Sequence, residues 1–158
     1  MKKLILIACL FIATLLGDDI DSTQYKFAIY PELVGLGGVP SLSLEYFVYI
    51  PKWSDNSISS IASGNYSIRF GMGIAGASGV ITYPISIYKI IGEQRNKLEI
   101  GIGSVLAIDE DTIGALGLNW KYESKSGRIF SRIGIVHFIN QPKENIKYLP
   151  TIGLGIKL

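Results

Sequence analysis

Tyr66-Ser67-Ile68-Arg69-Phe70-Gly71-Met72-Gly73-Ile74-Ala75 alternates without a break. Tyr66, Ile68, Phe70, Met72 and Ile74 fall on one face of an extended chain, and Ser67, Arg69, Gly71, Gly73 and Ala75 fall on the other. Successive side chains of a strand point to opposite faces, so this stretch reads as a strand with one wholly apolar face and one small or charged face.

The same division recurs outward in both directions. In Ser41–Tyr49, Leu42, Leu44, Tyr46 and Val48 oppose Ser41, Ser43 and Glu45; in Lys97–Gly103, Leu98, Ile100 and Ile102 oppose Glu99, Gly101 and Gly103. Leu116, Leu118, Trp120 and Tyr122 oppose Ala115, Gly117, Asn119 and Lys121, and Ile152, Leu154, Ile156 and Leu158 oppose Thr151, Gly153, Gly155 and Lys157. Phe27–Val34, Val80–Ile90 and Ile129–Phe138 alternate less regularly and bring the count to eight. Strands of roughly nine to eleven residues cross a bilayer when tilted. No stretch after residue 20 keeps a 3.6-residue apolar period for three turns. Short polar or glycine-bearing links, such as Ala77-Ser78-Gly79 and Ser124-Lys125-Ser126-Gly127, separate the strands as hairpin turns. The expected fold is all-β: an antiparallel up-and-down transmembrane β-barrel of eight strands, whose even number lets the sheet close and removes its edges.

The direction of the apolar face separates two exported eight-stranded barrels. A soluble lipocalin-like carrier needs an apolar interior and a charged exterior. The non-apolar face here is mostly Gly, Ser and Ala with about one charge per strand, which suits the narrow interior of a small membrane barrel. Glu32, Glu45 and Glu99 share that face with Arg69, Lys121, Arg132 and Lys157. Isolated buried charges cost several kcal/mol, so these residues are expected to pair and fill the lumen rather than leave a pore. The competing reading makes them independent solvated surface charges.

Strand starts of odd number and strand ends of even number lie on one rim. That rim collects Phe27, Tyr49, Trp53, Tyr66, Tyr88, Trp120 and Tyr122, an aromatic girdle of the kind found at headgroup depth. Phe138 and Tyr148 are the main candidates for the opposite rim.

Residues 1–17 read as a secretory signal peptide: Lys2 and Lys3, an apolar run from Leu4 to Leu16, then Gly17. Residues 18–158 form the barrel domain. The single cysteine, Cys9, sits in the apolar run; Leu6-Ile7-Ala8-Cys9 loosely resembles a lipobox, against the plainer reading of an ordinary residue of that run. Removing Lys2 and Lys3 leaves 13 basic and 13 acidic residues, so no basic excess points to nucleic acid.

At the C-terminus Thr151-Ile152-Gly153-Leu154-Gly155-Ile156-Lys157-Leu158 places Thr151, Gly153, Ile156 and Leu158 in the pattern of a barrel-assembly signal. On this pattern and the strand series the chain resembles the small outer-membrane barrels of the OmpA/OmpX-like superfamily over essentially all of residues 18–158. The resemblance implies a cell-outer-membrane location in a Gram-negative bacterium. It also implies outer-membrane lipid and lipopolysaccharide as surroundings, and barrel-assembly machinery and periplasmic chaperones as transient partners. Two features depart from it. The last residue is Leu158 rather than an aromatic one, and the longest connection, Pro51 to Asn65, falls on the periplasmic rim. Either that segment is an inner cap or the strand count is off by one.

Other chemistry is sparse. Gly71-Met72-Gly73-Ile74-Ala75-Gly76 spells the dinucleotide fingerprint GxGxxG, which works only between a strand and a helix. Close packing of glycine in a barrel is the simpler explanation. His137 is the only histidine, which excludes multi-histidine metal sites; Ser131 lies about 20 Å away along a strand. Asp109-Glu110-Asp111 has too few ligands for a cation site. The sequence therefore reads as a monomeric, non-enzymatic barrel protein without cofactor, metal or nucleic-acid partner, in a structural or surface-interaction role. The rivals are a lipid A-modifying enzyme built on His137, a lipocalin-like carrier and a small channel.

Overall fold

The computed structural model describes residues 26–36, 40–55, 57–75, 79–92, 95–107, 112–139 and 147–158. The expected signal peptide, residues 1–17 with Cys9, and the acidic stretch 109–111 lie outside them. Eight strands follow in order: β1 (Phe27–Val34), β2 (Ser41–Ile50), β3 (Gly64–Ala75), β4 (Val80–Ile91), β5 (Asn96–Ala107), β6 (Ile113–Glu123), β7 (Ile129–Ile139) and β8 (Tyr148–Lys157). Each pairs antiparallel with its sequence neighbour, and β8 returns to β1 to close the barrel. At the seam Ala28 faces Lys157 and Glu32 faces Gly153, with a bulge between Glu32 and Val34. Closure leaves no free strand edge.

The alternation of the sequence becomes the two sides of the wall. Outward residues are apolar and open: Met72 is 55% exposed, Ile133 60% and Leu154 59%. Inward residues include Glu45, Glu99 and Lys121, each 0% exposed. The usual arrangement of a water-soluble domain is inverted.

The rim where β1 begins and β8 ends, here the lower rim, carries the connection from β2 to β3. It is neither a missed strand nor a cap across the lumen. Ser57–Ala62 forms a single short helix, α1. The Ser59 hydroxyl oxygen accepts the backbone N–H groups of Trp53 (3.0 Å) and Ser54 (3.1 Å), which folds the preceding turn onto the helix. The helix end is held from outside the barrel. The Tyr66 hydroxyl donates to the Ala62 carbonyl at 2.9 Å, and the Lys89 ammonium donates to the Ile61 carbonyl. Tyr66 and Lys89 face each other on the outward side of β3 and β4, so α1 hangs on the outer perimeter with Ile58 and Ile61 exposed. On the same rim the link from β6 to β7 is tight: Gly127 donates to the Ser124 carbonyl at 2.9 Å and adopts φ +69°, a left-handed conformation that glycine tolerates.

Candidate functional site

Adjacent strands bring the inward charges to a common level. Glu45 of β2 faces Arg69 of β3 in register, and Lys121 of β6 faces Arg132 of β7. Across the lumen the Arg132 guanidinium grips Glu99 with two bonds, Nε to Oε2 at 2.6 Å and Nη2 to Oε1 at 2.9 Å. The same Nη2 reaches Glu45 at 3.0 and 3.1 Å. Arg69 completes the ring, with Nε 3.1 Å from Glu45 and Nη2 2.5 Å from Glu99. Each carboxylate therefore lies between two guanidinium groups and each guanidinium between two carboxylates, a geometry that offsets the desolvation of all four.

Below this ring a second group forms around a residue absent from the sequence reading, Glu123. Lys97, Lys121 and Lys157 approach it at 3.0, 3.3 and 2.9 Å. Lys121 also stands 4.0 Å from Glu99 and joins the two levels. The predicted members Glu45, Arg69, Glu99, Lys121, Arg132 and Lys157 thus come together. Glu32 is buried but sits higher, where the Ser41 hydroxyl donates to it at 3.1 Å.

The lumen also holds aromatic rings, among them Tyr88, which the sequence reading assigns to the exterior. Tyr88 is not a girdle residue: it is 4% exposed and points inward. In the row Tyr88, Gly101, Gly117 its ring lies over two glycines, and a Cβ on either would strike it. The Arg69 guanidinium stacks on its face at 3.8 Å. Arg132 lies over Tyr30 at 4.5 Å, and Lys121 lies between Phe47 and Phe130 at 4.3 Å from each. The cations are thus met by both carboxylates and ring faces, each of which favours a desolvated cation. Phe138, expected on the upper rim, packs instead against an inward apolar cluster of Leu36, Val105, Ala115 and Val136 at the upper end of the lumen. Above the ring, toward the apolar cluster, Tyr30, Glu32, Leu36, Arg69, Asn119 and Val136 line a cavity of about 10 Å³, at the lower limit for one water.

Of the other girdle residues, Tyr66, Trp120 and Tyr122 face outward toward the lower rim. Phe27 joins them, packed on Tyr46 with ring centroids 4.9 Å apart. Trp53 is exposed in the connection before α1, and Tyr49 is exposed in the inward register of β2, one residue from its end. Tyr83 and Tyr148 are the exposed aromatics near the upper rim.

The C-terminal pattern occupies β8 and the residue after it. Thr151 and Gly153 face the lumen, where Thr151 donates to Asn119 at 2.7 Å, while Ile156 and Leu158 face out. Gly71 and Gly73 are strand residues of β3, and the next described element is strand β4, so GxGxxG does not open a helix. His137 lies on the outward face of β7; its Nδ1 is 3.0 Å from the Lys147 carbonyl and its ring is 4.7 Å from that of Tyr148. Among the described residues no serine or carboxylate hydrogen-bonds to it. No family model, no curated protein and no solved structure matches this chain.

Proposed function

We propose that the chain is an integral outer-membrane β-barrel protein with a closed, ion-paired lumen and a structural or surface-interaction role in the cell envelope. One observation carries the reading: the wall is apolar outside on every strand, while every charge of the described strands except Lys89 is gathered inside. Contiguous exposed apolar surface of this extent is rare in soluble proteins and marks contact with lipid or another apolar partner. In hydrocarbon only helices and closed barrels satisfy all their backbone groups, and this barrel is closed.

The lower-rim rings Tyr66, Trp120 and Tyr122 support the same placement, since aromatic side chains concentrate at headgroup depth. The basic start of the chain and its apolar run support export. The Thr151, Gly153, Ile156, Leu158 pattern supports insertion by outer-membrane assembly machinery, as does the resemblance to small OmpA/OmpX-like barrels. Outer-membrane lipid and lipopolysaccharide are then its standing partners. A carrier role is the poorer fit, because the interior is occupied by side chains. Fractionation of an expressing Gram-negative cell tests the reading. The protein is expected in the outer-membrane pellet, extracted only by detergent, with gel migration that changes on boiling. Recovery in the detergent-free soluble fraction would overturn it.

A further inference from the structure

Two cross-strand rows of outward side chains climb the wall from β3 to β8, and a groove runs between them. Its floor is the backbone of the paired glycines Gly101 and Gly117. Ile100 and Leu118 form one bank, and Ile102 and Leu116 form the other. The groove is open on its outer side and offers about 590 Å³ of space, a volume comparable to that of sites that hold a small organic ligand. It begins at Lys89 and Tyr66 near the lower rim and ends at His137 and Tyr148. Each row advances one strand at a time, about 4.8 Å per step, and covers roughly 24 Å between β3 and β8. Tilted like the strands of small barrels, at about 40°, that run rises about 15 Å.

The lower end is charged. Lys89 stands on the outward face, in a row of otherwise apolar and aromatic residues, and no carboxylate lies within ion-pair distance of it among the described residues. It donates to the Ile61 carbonyl at the end of α1, and its ammonium lies 5.9 Å from the Tyr66 ring centre. An ammonium has three donors, so this arrangement fixes the group at the groove mouth and leaves donors for an anion. A long apolar channel with a cation at its lower mouth is complementary to an acyl chain joined to a phosphate.

Resting on the membrane reading above, we infer that this groove binds one anionic glycerophospholipid, with its phosphate on Lys89 and one acyl chain along Gly101 and Gly117. The full chain, reconstituted in vesicles of equal phosphatidylcholine and phosphatidylglycerol and then extracted in mild detergent, can be weighed intact with its retained lipid. The wild type is expected to keep a single phosphatidylglycerol in preference to phosphatidylcholine by about fivefold, the scale of one lysine at a lipid surface. Lys89→Gln should retain the two lipids alike, Lys89→Arg should restore the preference, and Ile102→Trp, which fills the channel, should lose the bound lipid. Vesicle flotation of each sample separates the two levels of failure. Protein that floats but keeps no lipid, or a Lys89→Gln variant with unchanged preference, overturns the lipid site alone. Protein that does not float overturns the membrane reading and the site with it.

Discussion

Arg132 concentrates the energetics of the lumen in one side chain. It is almost wholly buried and holds both carboxylates of the ring, Glu45 and Glu99. A buried pair adds little net stability over a well-packed apolar alternative, but removing one partner leaves an uncompensated charge that cannot reach water. Arg132→Met removes the guanidinium and leaves two carboxylates with Arg69 as their remaining close partner in the ring. The expected loss is about 3–5 kcal/mol, read from urea unfolding followed by the fluorescence of Trp53 and Trp120. Lys97 provides the contrast. Its side chain is 23% exposed and it shares Glu123 with Lys121 and Lys157, so Lys97→Met should cost less than about 1 kcal/mol. Equal losses in the two variants would mean that the central ring is no more desolvated than the rim.

Strand elements were legible in the sequence because their signal is strict. A period of two fixes every inward and outward position once a single residue is placed, and Tyr66–Ala75 places it without ambiguity. Seven of the inward charges could be read for the same reason, while Lys97 and Glu123, at the lower ends of β5 and β6, were missed. The rings could not. Tyr88 shares the inward parity of Thr82 and Ser86, but a large ring there is accommodated only because Gly101 and Gly117 on two other strands leave it room, which polarity along β4 does not show. A division into polar and apolar residues likewise says nothing about Tyr30, Phe47 and Phe130 serving as ring faces for buried cations. The helix α1 escaped because six residues make less than two turns, too few for a period to show. Its start is ordered by a local contact, the Ser59 hydroxyl accepting two backbone N–H groups, and its end by Tyr66 and Lys89. Ser59→Ala leaves those donors without this partner, and the expected cost is about 1–3 kcal/mol, confined to residues 51–63. Amide exchange should then quicken in that segment and stay unchanged in the strands. Faster exchange throughout the barrel would show that α1 supports the wall rather than hanging on it.

At the scale of the whole molecule the lumen is layered, and the layers act in series on anything that would pass. An apolar plug of Leu36, Val105, Ala115 and Val136 closes the upper end. The Glu45, Arg69, Glu99, Arg132 ring closes the middle, and the Glu123 group with its three lysines closes the lower end. Eight strands leave an interior that side chains can fill, and a permeating ion would have to displace both an apolar and an ion-paired layer. Loosening one layer therefore should not open the barrel. The wild type in a planar bilayer is expected to give no resolved conductance steps. The double substitution Leu36→Ser with Val136→Ser, which makes the plug polar and smaller, should give none either, because the ring beneath keeps its charges paired and its centre occupied. Steady unitary steps from the double variant, with the wild type silent, would show that the plug is the sole barrier. The ring would then have to part to admit ions while its guanidinium groups remain bound to the wall, contrary to the closed lumen proposed above.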